Sequence, residues 1–249
     1  MIGYKTETYG QLNAERYDMI YEDSMLEDTL DSVETLFELA QGGKVLELAI
    51  GTGRVAIPLA ARGLSVQGIE ASEAMVAKLR KKPGGMGIPV EIGDMSQFNM
   101  NDTFDLIYLV FNTIFNLTTQ EDQVRCFKNA AHHLTPKGVF VVETGVPDLS
   151  EYVNNQRMKG SWVKIDSAKF EISIHDRVSQ TIAYQHIFID ENGSTRMVPY
   201  FMRYAWPSEL DLMAQIAGLE RVERWAWWNR SPFKADSKSH VTVYARGHQ

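Results

Sequence analysis

The chain has 249 residues, 44% of them apolar and 23% charged, with a formal net charge of −7. That is ordinary globular composition for one large domain or a domain with an insertion, and the acidic balance excludes a basic surface that could neutralise many nucleic-acid phosphates. The single cysteine, Cys126, excludes an internal disulfide and fits a reducing compartment. No apolar run approaches the ~20 residues of a membrane span, and the amino terminus lacks the apolar core of a secretion signal, so a cytoplasmic protein without membrane partners is expected.

Residues 13–40 read as helix. Tyr17, Ile20, Tyr21, Met25, Leu26, Leu30, Val33 and Leu36 recur at roughly helical spacing, with a break near Glu22-Asp23-Ser24 and Asp23 or Ser24 as N-cap. From Lys44 strands and helices alternate. Val45–Ala49 is a strand, Arg54–Arg62 a helix closed by Gly63, Ser65–Ile69 a strand, and Glu73–Lys82 a helix. The basic run Lys78–Lys82 ends that helix before Pro83-Gly84-Gly85, where cations complement the helix dipole. Pro89–Ile92 and Phe104–Phe111 are further strands, Glu121–Leu134 a helix, and Thr135-Pro136-Lys137-Gly138 a turn into the strand Val139–Glu143. Such alternation predicts an α/β fold with helices on both faces of a mostly parallel sheet, and the continuous apolar strands are what a doubly covered sheet requires.

After Pro147 the pattern changes to strands with one wet face: Trp162–Ile165, Phe170–Asp176, Gln180–Ile189 and Arg196–Met202. Asn192-Gly193 predicts a hairpin between the last two. The α/β pattern resumes with a helix over Glu209–Ala217 and strands at Leu219–Trp228 and His240–Ala245. The domain reading is therefore an amino-terminal helical segment over 1–40, an α/β core over 41–147 and 204–249, and a β-rich insertion over 148–203 on the substrate side. The insertion is placed to cap a cleft, to pair two subunits as a homodimer, or both.

Ligands of open α/β sheets bind beyond the carboxyl ends of the strands. There the first strand ends in Gly51-Thr52-Gly53, the second in Glu70 and the third in Asp94. Glycines let the backbone turn tightly and approach a ligand. Glu70 lies 19 positions after Gly51, close to the ~20-residue spacing of an acid that binds ribose hydroxyls. Gly51–Ala56 also fits a loose dinucleotide fingerprint, so an NAD(P)-dependent oxidoreductase is one alternative. Glu47 argues against it. An acid four residues before the first glycine repels a pyrophosphate and suits a ligand with a cationic end, such as S-adenosylmethionine.

Glu47-Leu48-Ala49-Ile50-Gly51-Thr52-Gly53, Glu70-Ala71-Ser72, Gly93-Asp94-Met95, Phe104-Asp105-Leu106-Ile107 and Leu134-Thr135-Pro136-Lys137-Gly138 together resemble the class I S-adenosylmethionine-dependent methyltransferases of small-molecule type. The amino-sugar N-methyltransferases and natural-product methyltransferases are the nearest in kind. The resemblance covers about residues 40–145 by motif. It implies a Rossmann-like methyltransferase fold with a seven-stranded sheet and an amino-terminal helical lid. It further implies that Gly51 and Gly53 pass under the methionine part and ribose, Glu47 lies near the sulfonium or amino group, and Glu70 holds the ribose hydroxyls. Ala71 and Met75 would line the adenine pocket, Asp94 would take the adenine amino group, and Met95 would pack on the ring. Val110, Phe111 and Asn112 would flank the transfer axis, Ala49 belongs to the same cofactor loop, and Arg54 would meet either the cofactor carboxylate or Glu47. Arg16-Tyr17-Asp18-Met19-Ile20-Tyr21 resembles a Tyr-Asp-x-x-Tyr lid segment, with Tyr17 and Tyr21 on one helix face.

Methyl transfer from a sulfonium needs mainly proximity, with a base only where the nucleophile must lose a proton. Tyr21, His175 and His186 are the candidate catalytic residues. Phe115, Asn116 and Trp225 are the candidate acceptor contacts, and no spacing reads as a metal site. The expected reaction (EC 2.1.1.-) is methylation of N or O of a small organic metabolite, with natural-product biosynthesis as its expected setting; a catalytically silent cofactor-binding protein is the other alternative.

Overall fold

The structure, a computed structural model, describes residues 1–21 and 26–247; the expected N-cap at Asp23 or Ser24 and the side chain of Tyr21 lie outside the described residues. The amino-terminal region forms three helices: α1 (Thr8–Asn13), which the sequence pattern does not show, and α2 (Tyr17–Tyr21) and α3 (Leu26–Ala40) on either side of the expected break, which itself lies outside the described residues.

The α/β elements follow as β1 (Lys44–Leu48), α4 (Ala56–Ala61), β2 (Ser65–Glu70), α5 (Glu73–Lys81), β3 (Val90–Ile92), β4 (Phe104–Leu109), α6 (Gln120–His133) and β5 (Leu134–Gly145). After four further strands come α7 (Pro207–Ile216), β10 (Leu219–Trp225) and β11 (Ser239–Arg246). The large sheet has seven strands in the order β10-β11-β5-β4-β1-β2-β3, parallel except where β11 runs against β5 and β10. Strand order reverses at β1, which pairs with β2 on one side and β4 on the other. That reversal opens a crevice above the carboxyl ends of β1 and β4.

Each face of the sheet has its own core. Leu46, Leu48, Ile107 and Phe140 pack under α6 and α7 with Phe127 and Leu210. Val45, Leu106, Tyr108 and Val141 face α3 and α4 with Leu36 and Leu59. Side chains alternate along a strand, so β1 sends Leu46 and Leu48 to one core and Val45 and Glu47 toward the other. Thr135–Gly138 is not a free turn. The β4–β5 register passes from Phe104↔Leu134 to Leu106↔Val139, so β5 absorbs these residues in an irregularity.

The insertion is a separate four-stranded antiparallel sheet, β6 (Gln156–Val163), β7 (Ala168–Asp176), β8 (Thr181–Ile189) and β9 (Thr195–Arg203), in sequential order. Its first strand starts six residues before the expected Trp162, because β6 takes its pairing from β7 across Gln156↔Ile174 and Arg157↔Ser173 rather than from an apolar run of its own. Register places Glu171 opposite His186, and Ser173 opposite Tyr184 opposite Tyr200, so these polar and aromatic side chains share one face. No described helix is long and apolar enough to cross a membrane.

Candidate active site

A cavity of about 240 Å³ lies at the crevice. Its floor comes from the ends of β1 and β2. Beyond Leu48 the chain enters left-handed backbone at Ala49 (φ 57°) and again at Gly51 (φ 57°). A Cβ on Gly51 would meet nothing nearer than the Ala49 carbonyl at 4.0 Å, so this glycine opens the loop to the cavity. Gly53 does something else. A Cβ there would come within 3.0 Å of Ile57 and Leu79, so its missing side chain serves packing of the loop onto α4 and α5.

Glu70 ends β2 with its carboxylate on the wall. Oε2 accepts the Gly51 amide at 2.9 Å and Oε1 the Ser72 amide at 2.9 Å. Burial raises its pKa, and these amide donors oppose the rise. A carboxylate has about four lone-pair sites, so sites remain for two ligand hydroxyls after both amides are served. Ala71, Met75, Gly93 and Met95 complete this end of the cavity. Asp94, between the last two, accepts the Ser96 amide at 2.7 Å and stands beside the wall rather than on it.

The opposite end is formed after β4. Phe111 (φ 61°) and Asn112 (φ 60°) are both left-handed, a costly state for residues with a Cβ. Glu143 of β5 holds this kink by accepting the Phe111 amide at 2.9 Å, and Asn112 Oδ1 accepts the Gly145 amide. Phe111, Asn112, Thr113 and Asn116 face the cavity; the Asn116 Oδ1 is buried without a hydrogen-bond partner. Val110 belongs to the core below.

Beneath the loop lies a buried charge cluster. Glu47 is 4% exposed and accepts the Tyr108 hydroxyl at 2.8 Å. Burial pushes its pKa up to about 8, with Tyr108 and the nearby Arg54 opposing. Burial raises Glu143 as well, again against Arg54. Arg54 donates to Thr29 Oγ1 and lies over the Phe111 ring, 5.5 Å from its centroid. Glu47 and Arg54 thus stand one layer behind the cavity, next to each other, and neither lines its wall.

The amino-terminal segment spans the opening. Gly10 of α1 sits so close to α5 that a Cβ would fall 2.5 Å from the Ser72 Cβ. Tyr9 meets Tyr200 of β9 edge-on at 5.4 Å, and Tyr4 meets Phe201 at 6.1 Å. Tyr4, Tyr9 and Tyr17 all line the cavity. Asp18 of α2 accepts Thr52 Oγ1 at 2.6 Å and pairs with Lys82 at 2.8 Å, tying the segment to the glycine loop and to the end of α5.

A second cavity, of about 330 Å³, adjoins the first under the insertion's sheet; Asn112, His186 and Tyr200 line both. Phe115 reaches it from the core, and Arg157, Glu171 and Tyr184 from the insertion. Arg157 pairs with Glu171, whose other oxygen lies 3.4 Å from His186 Nδ1.

Besides Glu47, Arg54, Asp94 and Val110, which stand off the cavity wall, two expectations about the acceptor side are corrected. His175 lines neither cavity: it is 4% exposed, and its Nε2 shares a 3.0 Å hydrogen bond with the Tyr204 hydroxyl. Strand alternation puts it on the inward face, but beyond the cleft. Trp225 is an 8% exposed core residue with Arg230 over its ring, at the end of the edge strand β10. Three strands, β11, β5 and β4, separate β10 from β1, too far for an acceptor contact. Trp227 and Trp228 share that side, Trp227 donating to Asp28. The sequence pattern did not single out Tyr4, Tyr9, Tyr200, Arg157 or Glu171. The period-two run Ser173/Tyr184/Tyr200 through the cross-strand register was the one signal available, and it appears only once strands are paired.

Comparison with known proteins agrees with this geometry. The profile of methyltransferase domains matches residues 45–138. The CcbJ methyltransferase from Streptomyces caelestis is 37% identical, and its structure aligns over 98% of this chain and 100% of that one with a TM-score of 0.92. Cypemycin N-terminal methyltransferase from Streptomyces sp is 28% identical over 213 residues, 82% of this chain and 84% of that protein. A dTDP-4-amino-2,3,4,6-tetradeoxy-D-glucose N,N-dimethyltransferase from Saccharopolyspora spinosa is 34% identical over 106 residues, 42% of this chain and 41% of that protein. Gly51, Glu70, Met75 and Met95 line a pocket that suits a nucleoside. The chain belongs to the class I S-adenosylmethionine-dependent methyltransferases.

Proposed function

We propose that the acceptor atom is an amine nitrogen of a small natural-product intermediate. The observation that carries this reading is the junction of the two cavities at Asn112, His186 and Tyr200. The first cavity suits the cofactor. The second offers the Arg157-paired carboxylate of Glu171, an imidazole and several phenols to whatever approaches from the other side, a set that suits an amine with hydroxylated surroundings. The names of the relatives, an N-terminal methyltransferase and a sugar N,N-dimethyltransferase, support nitrogen over oxygen.

When bound, S-adenosylmethionine supplies an electrophilic methyl group on a sulfonium. The chain's own residues then act chiefly by position. Glu70 and the Gly51 loop fix the ribose end, the Phe111–Asn112 kink sets the floor at the junction, and α1 with α2 closes over both as a lid. Glu47 and Arg54 support the loop from below. We place the activity in the cytoplasm, in line with the single buried thiol of Cys126.

The test is a panel of amines (a nucleotide-linked 4-amino-4,6-dideoxy sugar and a short peptide with a free amino terminus, after the names of the relatives) set against the matched alcohols. S-adenosylhomocysteine formation and product mass are read together. Methylation of at least one amine and of no alcohol is expected. Transfer to alcohols alone, or to none of the amines, overturns the nitrogen reading.

A further inference from the structure

The second cavity contains an arrangement that simple positioning of an acceptor does not need. His186 Nδ1 is buried and makes no hydrogen bond; the Glu171 carboxylate stands 3.4 Å from it. Glu171 is itself held by the guanidinium of Arg157, which also reaches Glu151 at 3.1 Å. The imidazole lies nearly parallel to the Tyr184 ring, 6° apart in plane and 6.4 Å between centroids. The ring lines both cavities, and with Nδ1 on the Glu171 side the nitrogen left for a ligand is Nε2. A carboxylate on one imidazole nitrogen fixes the tautomer and leaves a lone pair on the other.

Resting on the amine reading, we propose that His186 is the base of the reaction and that Glu171, pinned by Arg157, is its positioning residue. An aliphatic amine arrives as an ammonium and has no lone pair to give. His186 Nε2 takes one N–H proton. The nitrogen lone pair so freed forms the N–C bond as the C–S bond of the sulfonium breaks, and that electron pair stays on sulfur. The methylated amine leaves carrying its own proton, and His186 returns the one it took to solvent. His175, sealed against Tyr204, has no such access.

The groups that face His186 are Glu171 and Lys169 from β7, Arg157 from β6, Tyr184 on its own strand and Tyr200 from β9. Burial lowers its pKa, Glu171 opposes, and Lys169 and Arg157 add to the lowering. His186 is therefore neutral at physiological pH, the state a base requires.

Two measurements test this, and the first needs no acceptor. In full-length protein labelled with [15N]histidine and saturated with S-adenosylhomocysteine, long-range 1H–15N spectra assigned through His186→Gln should show His186 as the Nδ1–H tautomer. Glu171→Gln should lower its titration midpoint and mix the tautomers. A His186 fixed as the Nε2–H tautomer, or unmoved by Glu171→Gln, overturns the proposal whatever the acceptor is. The second uses the amine turned over in the panel. His186→Gln should lower kcat by ~100-fold with little change in KM, and its rate should keep rising with pH as the amine deprotonates in solution. Glu171→Gln should lower kcat by ~10-fold and move the acid limb of the pH profile down. A His186→Gln enzyme with wild-type kcat, or a Glu171→Gln enzyme with an unmoved acid limb, overturns the assignment. Failure of every panel amine sinks the nitrogen reading instead, and the spectra still decide the tautomer.

Discussion

Glu47 and Glu70 are both buried acids at strand ends, yet they differ in what they can be given. Glu70 has amide donors and an open side to the cavity, whereas Glu47 has Tyr108, Arg54 and no open side. Replacing Glu70 by Ala should weaken S-adenosylhomocysteine binding ten-fold or more, the equivalent of ~1.5–3 kcal/mol in charged hydrogen bonds; unchanged affinity by calorimetry would remove its role. For Glu47 the consequence is a pH effect on stability. Its folded pKa of about 8 lies above the unfolded value of 4.5, so the folded state holds the proton more tightly. That contribution is complete below the unfolded pKa and is lost as pH rises through the folded one. Glu70 and Glu143 are shifted in the same direction by burial. Urea midpoints of the wild type should therefore fall between about pH 5 and 8.5, and Glu47→Gln should fall less steeply. Equal slopes would show that Glu47 keeps its charge. Glu70 was legible from its spacing alone. The company of Glu47 was not, because Tyr108 and Arg54 reach it only when β1 lies beside β4 and the loop folds back.

At the level of elements, the strands and helices of the core could be read within a residue or three, because doubly covered strands and amphipathic helices leave strong periods; the exception is β5, which starts five residues before the expected Val139 because it takes in Thr135–Gly138. The amino-terminal stretch was legible as helical on either side of its break, but α1 was not. What places these helices is tertiary: α1 is fixed where Gly10 touches α5 and Tyr9 meets Tyr200, and α2 where Asp18 meets Thr52 and Lys82. Asp18 and Lys82 are 26% and 22% exposed in their side chains, so the pair is partly shielded. Its loss should loosen the lid without unfolding the core, since such pairs are worth about 1 kcal/mol or less. Asp18→Ala should release S-adenosylhomocysteine ~3- to 10-fold faster while Tm moves by no more than ~3 °C. A stopped-flow trace with the wild-type release rate would mean that α2 does not gate the cofactor.

The whole molecule places three independent pieces around one crevice: the sheet reversal at β1, the amino-terminal segment and the four-stranded sheet. The first was readable because glycines and acids end successive strands. The second cavity was not, because it exists only where β6–β9 fold over Asn112, and no local pattern states that contact; the same blindness put His175 and Trp225 at the site. The pieces also differ in what they hold up. Among the described residues, Ala14 is buried, but none before Val33 belongs to either of the two hydrophobic clusters on the sheet faces. Deleting residues 1–21 should accordingly leave one cooperative unfolding transition. It should not leave the ligand response. At ~100 times Kd, S-adenosylhomocysteine stabilises the intact chain by ~2.7 kcal/mol, which is ~5–10 °C in Tm for a domain of this size. The truncated chain lacks Tyr4, Tyr9, Tyr17 and the Asp18 tie. At the same ligand concentration its shift should fall below half, and transfer to the panel amine should cease. A truncated protein with the full shift and full activity would show that the segment only decorates the cleft. Loss of cooperative unfolding would show that it belongs to the core after all.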